Sequence, residues 1–129
     1  NYPNFISLKS NFLISKSGEM LGEYEKIAQG LGIDCAFISH AGNGILYSHI
    51  LPGKNFRSKV ESFVELIEKL TAEAVKYGGG LVVESSPLSI KKKVDVWGQS
   101  RSDYLVARRL KEQIDPAGIL NIGRFVGGI

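Results

Sequence analysis

The chain has 129 residues, 43% of them apolar and 22% charged, the balance of an ordinary globular domain. That excludes a disordered tail, a fibrous repeat and a disulfide-rich miniprotein, and a chain of this length buries roughly two-thirds of its unfolded surface in one core, with little room for two domains. Sixteen Lys and Arg against thirteen Asp and Glu leave a net charge of +3, and only Lys91-Lys92-Lys93 and Arg108-Arg109 cluster, which reads as solvated surface and not as a phosphate track.

No apolar run approaches the roughly 20 residues that a bilayer span requires. The opening Asn1-Tyr2-Pro3-Asn4 lacks the basic and apolar regions of a signal peptide and reads as a start within a longer chain. The single Cys35 excludes an internal disulfide and a cysteine-based zinc or iron–sulfur site. Followed by Ala36-Phe37-Ile38, it reads as a buried, inert thiol in a reducing, cytoplasmic compartment.

Phe5-Ile6-Ser7-Leu8 and Phe12-Leu13-Ile14 predict one extended first strand, broken by Ser17-Gly18. Leu21, Tyr24, Ile27, Ala28 and Leu31 recur at helical spacing from Glu19 to Leu31, and Gly30 and Gly32 stop that helix. Asp34 to Ser39 suits a buried central strand. Ala41-Gly42-Asn43-Gly44 then predicts a hairpin, with Ile45 to Leu51 as the partner strand, ended by Pro52-Gly53. Val60, Phe63, Val64, Ile67, Leu70, Thr71 and Ala74 form the stripe of a second helix. Gly78-Gly79-Gly80 ends it and Leu81-Val82-Val83 forms the next strand. The order β-α-β-β-α-β is that of an α+β, ferredoxin-like split sandwich. A mixed basic and apolar segment, Ile90 to Trp97, follows the break at Ser86-Pro87. Tyr104, Ala107, Leu110, Lys111 and Ile114 define an extra C-terminal helix, ended at Asp115-Pro116. The apolar tail Ile119 to Phe125 is expected to pack on something, and a fragment deprived of that neighbour self-associates.

His40 sits between a strand and the glycine turn, where an imidazole either binds metal, moves protons or simply bonds to backbone; His49 carries the same readings. Glu84 ends an apolar run and needs a partner. With the second and fourth strands in one sheet, His40 and Glu84 are expected to converge at one edge. No Ser-His-Asp or Cys-His arrangement is evident, and Gly42-Asn43-Gly44 opens a strand and not a helix, so it is no phosphate loop.

His40-Ala41-Gly42-Asn43-Gly44, then Gly78-Gly79-Gly80 with Glu84, then Lys111 and the ending Asp115-Pro116-Ala117-Gly118-Ile119-Leu120-Asn121-Ile122-Gly123-Arg124 stand in this order. Together they resemble the C-terminal domain of FAD-linked oxidases of the vanillyl-alcohol oxidase superfamily, over essentially the whole chain. Val94-Asp95-Val96-Trp97-Gly98 most resembles the smaller flavin-type subunit of bacterial glycolate oxidases. The resemblance implies a ferredoxin-like cap over the flavin, with FAD in the full-length parent and no tight FAD binding to this piece. It implies that His40 and Glu84 match a family metal histidine and glutamate, while Tyr47 and Ser85 stand where two further histidines would be. Asn43 and Ile45 replace an aspartate and an asparagine, and Ile122 a proline. The metal and catalytic set is therefore degenerate, with no metal and no catalytic residue expected here. Asn121, Arg124, His40 and Glu84 become the candidate cofactor contacts.

The implied partners are the N-terminal FAD-binding domain of the same subunit, a catalytic flavin subunit and an iron–sulfur subunit, placed in the cytoplasm or at the inner face of the membrane through those subunits, with no nucleic acid and no membrane span. The implied function is the cap of an FAD-dependent 2-hydroxyacid (glycolate-type) oxidoreductase subunit, supporting flavin binding, electron transfer or assembly. The alternative is a free-standing ferredoxin-like module binding a small ligand or RNA; against RNA stands the expectation that the central strands lack exposed aromatics.

Overall fold

The computed structural model describes residues 4–51, 53, 55–98 and 103–129, so Pro52, read as the end of a strand, lies outside them. The chain divides into two compact units, Asn1–Gly98 and Gln99–Ile129. The first holds β1 (Ile6–Asn11), α1 (Ser17–Gly30), β2 (Cys35–His40), β3 (Ile45–Ile50), α2 (Val60–Lys76), β4 (Gly80–Ser85) and the short α3 (Leu88–Lys91). The second holds α4 (Asp103–Ile114) and a closing 3-10 turn, Val126–Gly128.

The four strands form one antiparallel sheet in the order β2-β3-β1-β4, the expected α+β, ferredoxin-like arrangement. Alternation decides the faces. Ile6, Leu8, Leu46, Ile50, Leu81 and Val83 point one way and are buried with Met20, Tyr24 and Ala28 of α1 and Phe63, Val64, Leu66, Ile67, Leu70 and Ala74 of α2. Two serines enter this apolar layer. Ser10 Oγ lies 2.7 Å from the Tyr24 hydroxyl, which donates to the Leu70 carbonyl at 2.9 Å, so one phenol ties β1, α1 and α2 together. Both long helices end alike: Ile33 N–H bonds back to Ala28 O at 3.0 Å, and Gly79 N–H to Ala74 O at 2.9 Å.

The first strand is shorter than its sequence suggests. Phe12 N–H leaves the ladder and donates to the Gly44 carbonyl at 2.9 Å, turning Leu13 and Ile14 outward, each 59% exposed. The same contact explains the hairpin. Its loop is not a two-residue Asn-Gly turn but a 3-10 turn, Ala41–Asn43, closed by Gly44 at φ +62°. A Cβ on Gly44 would stand 2.2 Å from the Phe12 carbonyl oxygen. Gly79 is constrained by space: a Cβ there would meet the Asn11 oxygen at 1.6 Å. The basic and apolar segment after β4 also has a structural role, since Ile90 is fully buried and the Val83 N–H donates to the Val96 carbonyl at 2.8 Å.

Candidate functional site

The helices cover one face of the sheet; the residues of alternate parity line the other. On β3 the inward Leu46, Ser48 and Ile50 alternate with Ile45, Tyr47 and His49. The Tyr47 and His49 rings stack at 6.1 Å between centroids and 11° between planes, and Phe5 continues the stack on His49 at 5.5 Å and 21°. His40 meets Tyr47 edge-on at 5.6 Å, and the Lys9 ammonium lies 5.6 Å from the centre of the same ring. Register produces these neighbours: Lys9 of β1 and Ile38 of β2 both lie opposite Tyr47. The result is a row of stacked rings beside an ammonium, with imidazoles at two points. His49 Nδ1 is buried and has no hydrogen-bond partner among the described residues.

The central strands are expected to lack exposed aromatics; β3 carries Tyr47 half-buried on the face that the helices leave open. The signal was present in Ile45-Leu46-Tyr47-Ser48-His49-Ile50, where strict alternation assigns Tyr47 and His49 to the face opposite Leu46 and Ile50. The expected convergence of His40 and Glu84 fails. β2 and β4 are opposite edges of the sheet; His40 lines up through Ile45 and Asn11 with Gly80, four residues before Glu84. Three strand spacings across and four residues along separate their backbones by roughly 20 Å. Glu84 instead accepts from Ser7 Oγ at 3.3 Å, and Ser7 lies opposite His49. Ser85, paired with Ser7, is likewise remote from His40. Among the described residues, no group of three or more His, Cys, Asp or Glu could hold a metal ion.

β2 also departs from its reading as a buried central strand. It is an edge, and Ala36, Ile38, Ser39 and His40 are exposed. Cys35 is half-buried; burial, helped by Asp34, pushes its thiol up to about 11, which leaves little thiolate near neutrality.

The second unit is organised by Asp115. Its carboxylate accepts from the Lys111 ammonium one helical turn earlier, from Ile119 N–H at 3.1 Å and from Leu120 N–H at 2.9 Å, while Lys111 also donates to the Leu120 carbonyl. Lys111, the Leu120 N–H and the Ile119 N–H hold the Asp115 carboxyl down at about 2. The loop so pinned carries Asn121, in the left-handed region at φ +49°, whose carbonyl accepts from the Arg124 N–H at 3.1 Å. Asn121 and Arg124 thus share one turn, next to Ile122, which lines a cavity of about 440 Å³ with Arg108, Lys111 and the chain end. Ile119, Ile122 and Phe125 are 72%, 73% and 52% exposed.

No helix within the described residues is long and apolar enough to cross a membrane. No curated protein matches the chain. The family model of FAD linked oxidases, C-terminal domain, matches residues 2–125, spanning the aromatic face and the Asp115 loop alike, and the chain belongs to that family.

Proposed function

We propose that this domain is the cap of an FAD-dependent, glycolate-type 2-hydroxyacid oxidoreductase subunit, and that the Phe5–His49–Tyr47 strip is the surface turned towards the flavin. The observation that carries this reading is the strip itself. An aromatic row suits contact with a planar heterocycle, and the Lys9 ammonium beside Tyr47 suits an anion or a carbonyl edge. These donor types fit a flavin and a small carboxylate substrate.

FAD, when held largely by the N-terminal FAD-binding domain of the parent, would supply electron-transfer chemistry. This chain would stack, orient and exclude water through Tyr47, His49, Lys9 and His40, with Glu84 acting beside His49 through Ser7. Asn121 and Arg124 are the proposed flavin contacts of the second unit, and its exposed apolar side chains the surface that meets the rest of the parent. Hydride abstraction belongs in this proposal to a paired catalytic flavin subunit, with an iron–sulfur subunit as electron acceptor, and no divalent metal is held by this domain.

Expressing the parent subunit, alone and with its neighbours, and recording its visible spectrum tests the reading. Bands of oxidised flavin that bleach on adding glycolate with the catalytic partner support it; a colourless subunit contradicts it.

A further inference from the structure

The two edges of the sheet are finished differently. The outer side of β4 is engaged through Val83 N–H and the Val96 carbonyl. β2 is the other edge, and among the described residues no backbone hydrogen bond reaches its outer side. Natural edge strands are usually guarded by a lysine, a proline, a bulge or an inward charge. Cys35–His40 carries no lysine and no proline, and its pairing with β3 runs without a shift from Cys35↔Ile50 to His40↔Ile45. Ile38 stands 52% exposed in the middle of it. Such an edge offers a row of donors and acceptors that only another extended strand satisfies.

The side chains select which strand. We propose that β2 pairs antiparallel with β2 of a second copy of this chain, about a two-fold axis at Phe37, joining two four-stranded sheets into one. In an antiparallel pair, opposite residues share a face. Centring on Phe37 sets the two Phe37 rings opposite one another, Ala36 opposite the partner's Ile38, and Cys35 opposite the partner's Ser39. It also sets Asp34, exposed just before β2, opposite the partner's His40, so that a carboxylate meets an imidazole twice by symmetry. The neighbouring registers lose this complementarity: centring on Ala36 places Asp34 against Ile38, and centring on Ile38 places His40 against Ala36. The backbone pairing uses the sheet's edge, while the Asp34–His40 contacts would lie at the rim of the aromatic face, where His40 meets Tyr47.

Sedimentation velocity of the 129-residue chain across the micromolar range is the test. The unaltered chain is expected to run as a dimer, and Ile38→Lys to weaken association at least tenfold with an unchanged far-UV circular dichroism spectrum. Asp34→Lys should weaken it as well, and adding His40→Glu to that variant should restore it. Phe125→Glu should leave the dimer intact. A monomer at every concentration, a dimer indifferent to Ile38→Lys, a charge reversal that restores nothing, or a dimer abolished by Phe125→Glu would each overturn the proposal. Should the lysine variant unfold, hydrogen exchange on the unaltered chain decides. Amides of β2 that gain protection as concentration rises support edge pairing; rates independent of concentration refute it.

Discussion

At Asp115 a single carboxylate gathers an ammonium and two backbone amides, and that arrangement gives the loop after α4 its shape. Because the folded carboxyl titrates at about 2, below its ordinary 3.8, the ordering it provides is whole above about pH 4 and is lost as pH falls towards 2. The amide resonances of Ile119 and Leu120 should therefore titrate together with a midpoint near 2, and Asp115→Asn should abolish that common transition. Amide shifts that move separately, or at the ordinary carboxyl value, would contradict the arrangement. Tyr24 is the corresponding residue of the first unit. Burial raises its phenol far above the usual 10.0, so stability is full below pH 10 and declines as pH climbs beyond it. Tyr24→Phe strands the buried Ser10 hydroxyl and should cost about 1–2 kcal/mol in chemical denaturation. A neutral substitution would mean that Ser10 finds another partner.

At the level of elements, close approach of backbone sets the strictest demands. Gly44→Ala combines φ +62° with a carbonyl 2.2 Å from the new Cβ, and Gly79→Ala a carbonyl at 1.6 Å. Each should lower stability by about 3 kcal/mol, while Gly42→Ala, with nothing within 4 Å, should stay within about 0.5 kcal/mol. Thermal melts of the three variants check the contrast. The elements themselves were legible because local pattern and burial agree: the stripe from Val60 to Ala74 is the buried face of α2, and alternation from Ile45 to Ile50 is the two-faced β3. The end of β1 was not legible. Phe12 and Leu13 look like strand residues, and only the Gly44 carbonyl, distant in sequence, draws the chain away. β2 misleads for a similar reason. An apolar run reads as central, yet this strand borders a single neighbour, and its apolar side chains remain exposed at the edge.

For the whole molecule, strand order separated what the sequence brought together. His40 and Glu84 belong to one sheet as expected, but the order β2-β3-β1-β4 puts their strands at opposite edges and antiparallel alignment puts the residues at opposite ends. Conversely, Phe5, Lys9, His40, Tyr47 and His49 are scattered along the chain and meet only through register. If this domain offers one wall of a flavin site, as proposed, it should not hold the cofactor by itself, so titration of FAD into the isolated chain should show no submicromolar binding. If the aromatic face of this cap lies against the flavin in the parent protein, the flavin's own absorption spectrum reports the contact. Tyr47→Ala and His49→Ala in the flavin-loaded parent should each shift the flavin bands or raise flavin fluorescence, whereas Val75→Ala, exposed on α2 across the sheet, should not. A spectrum that is the same in all three variants and the unaltered parent would mean that the aromatic face does not meet the flavin.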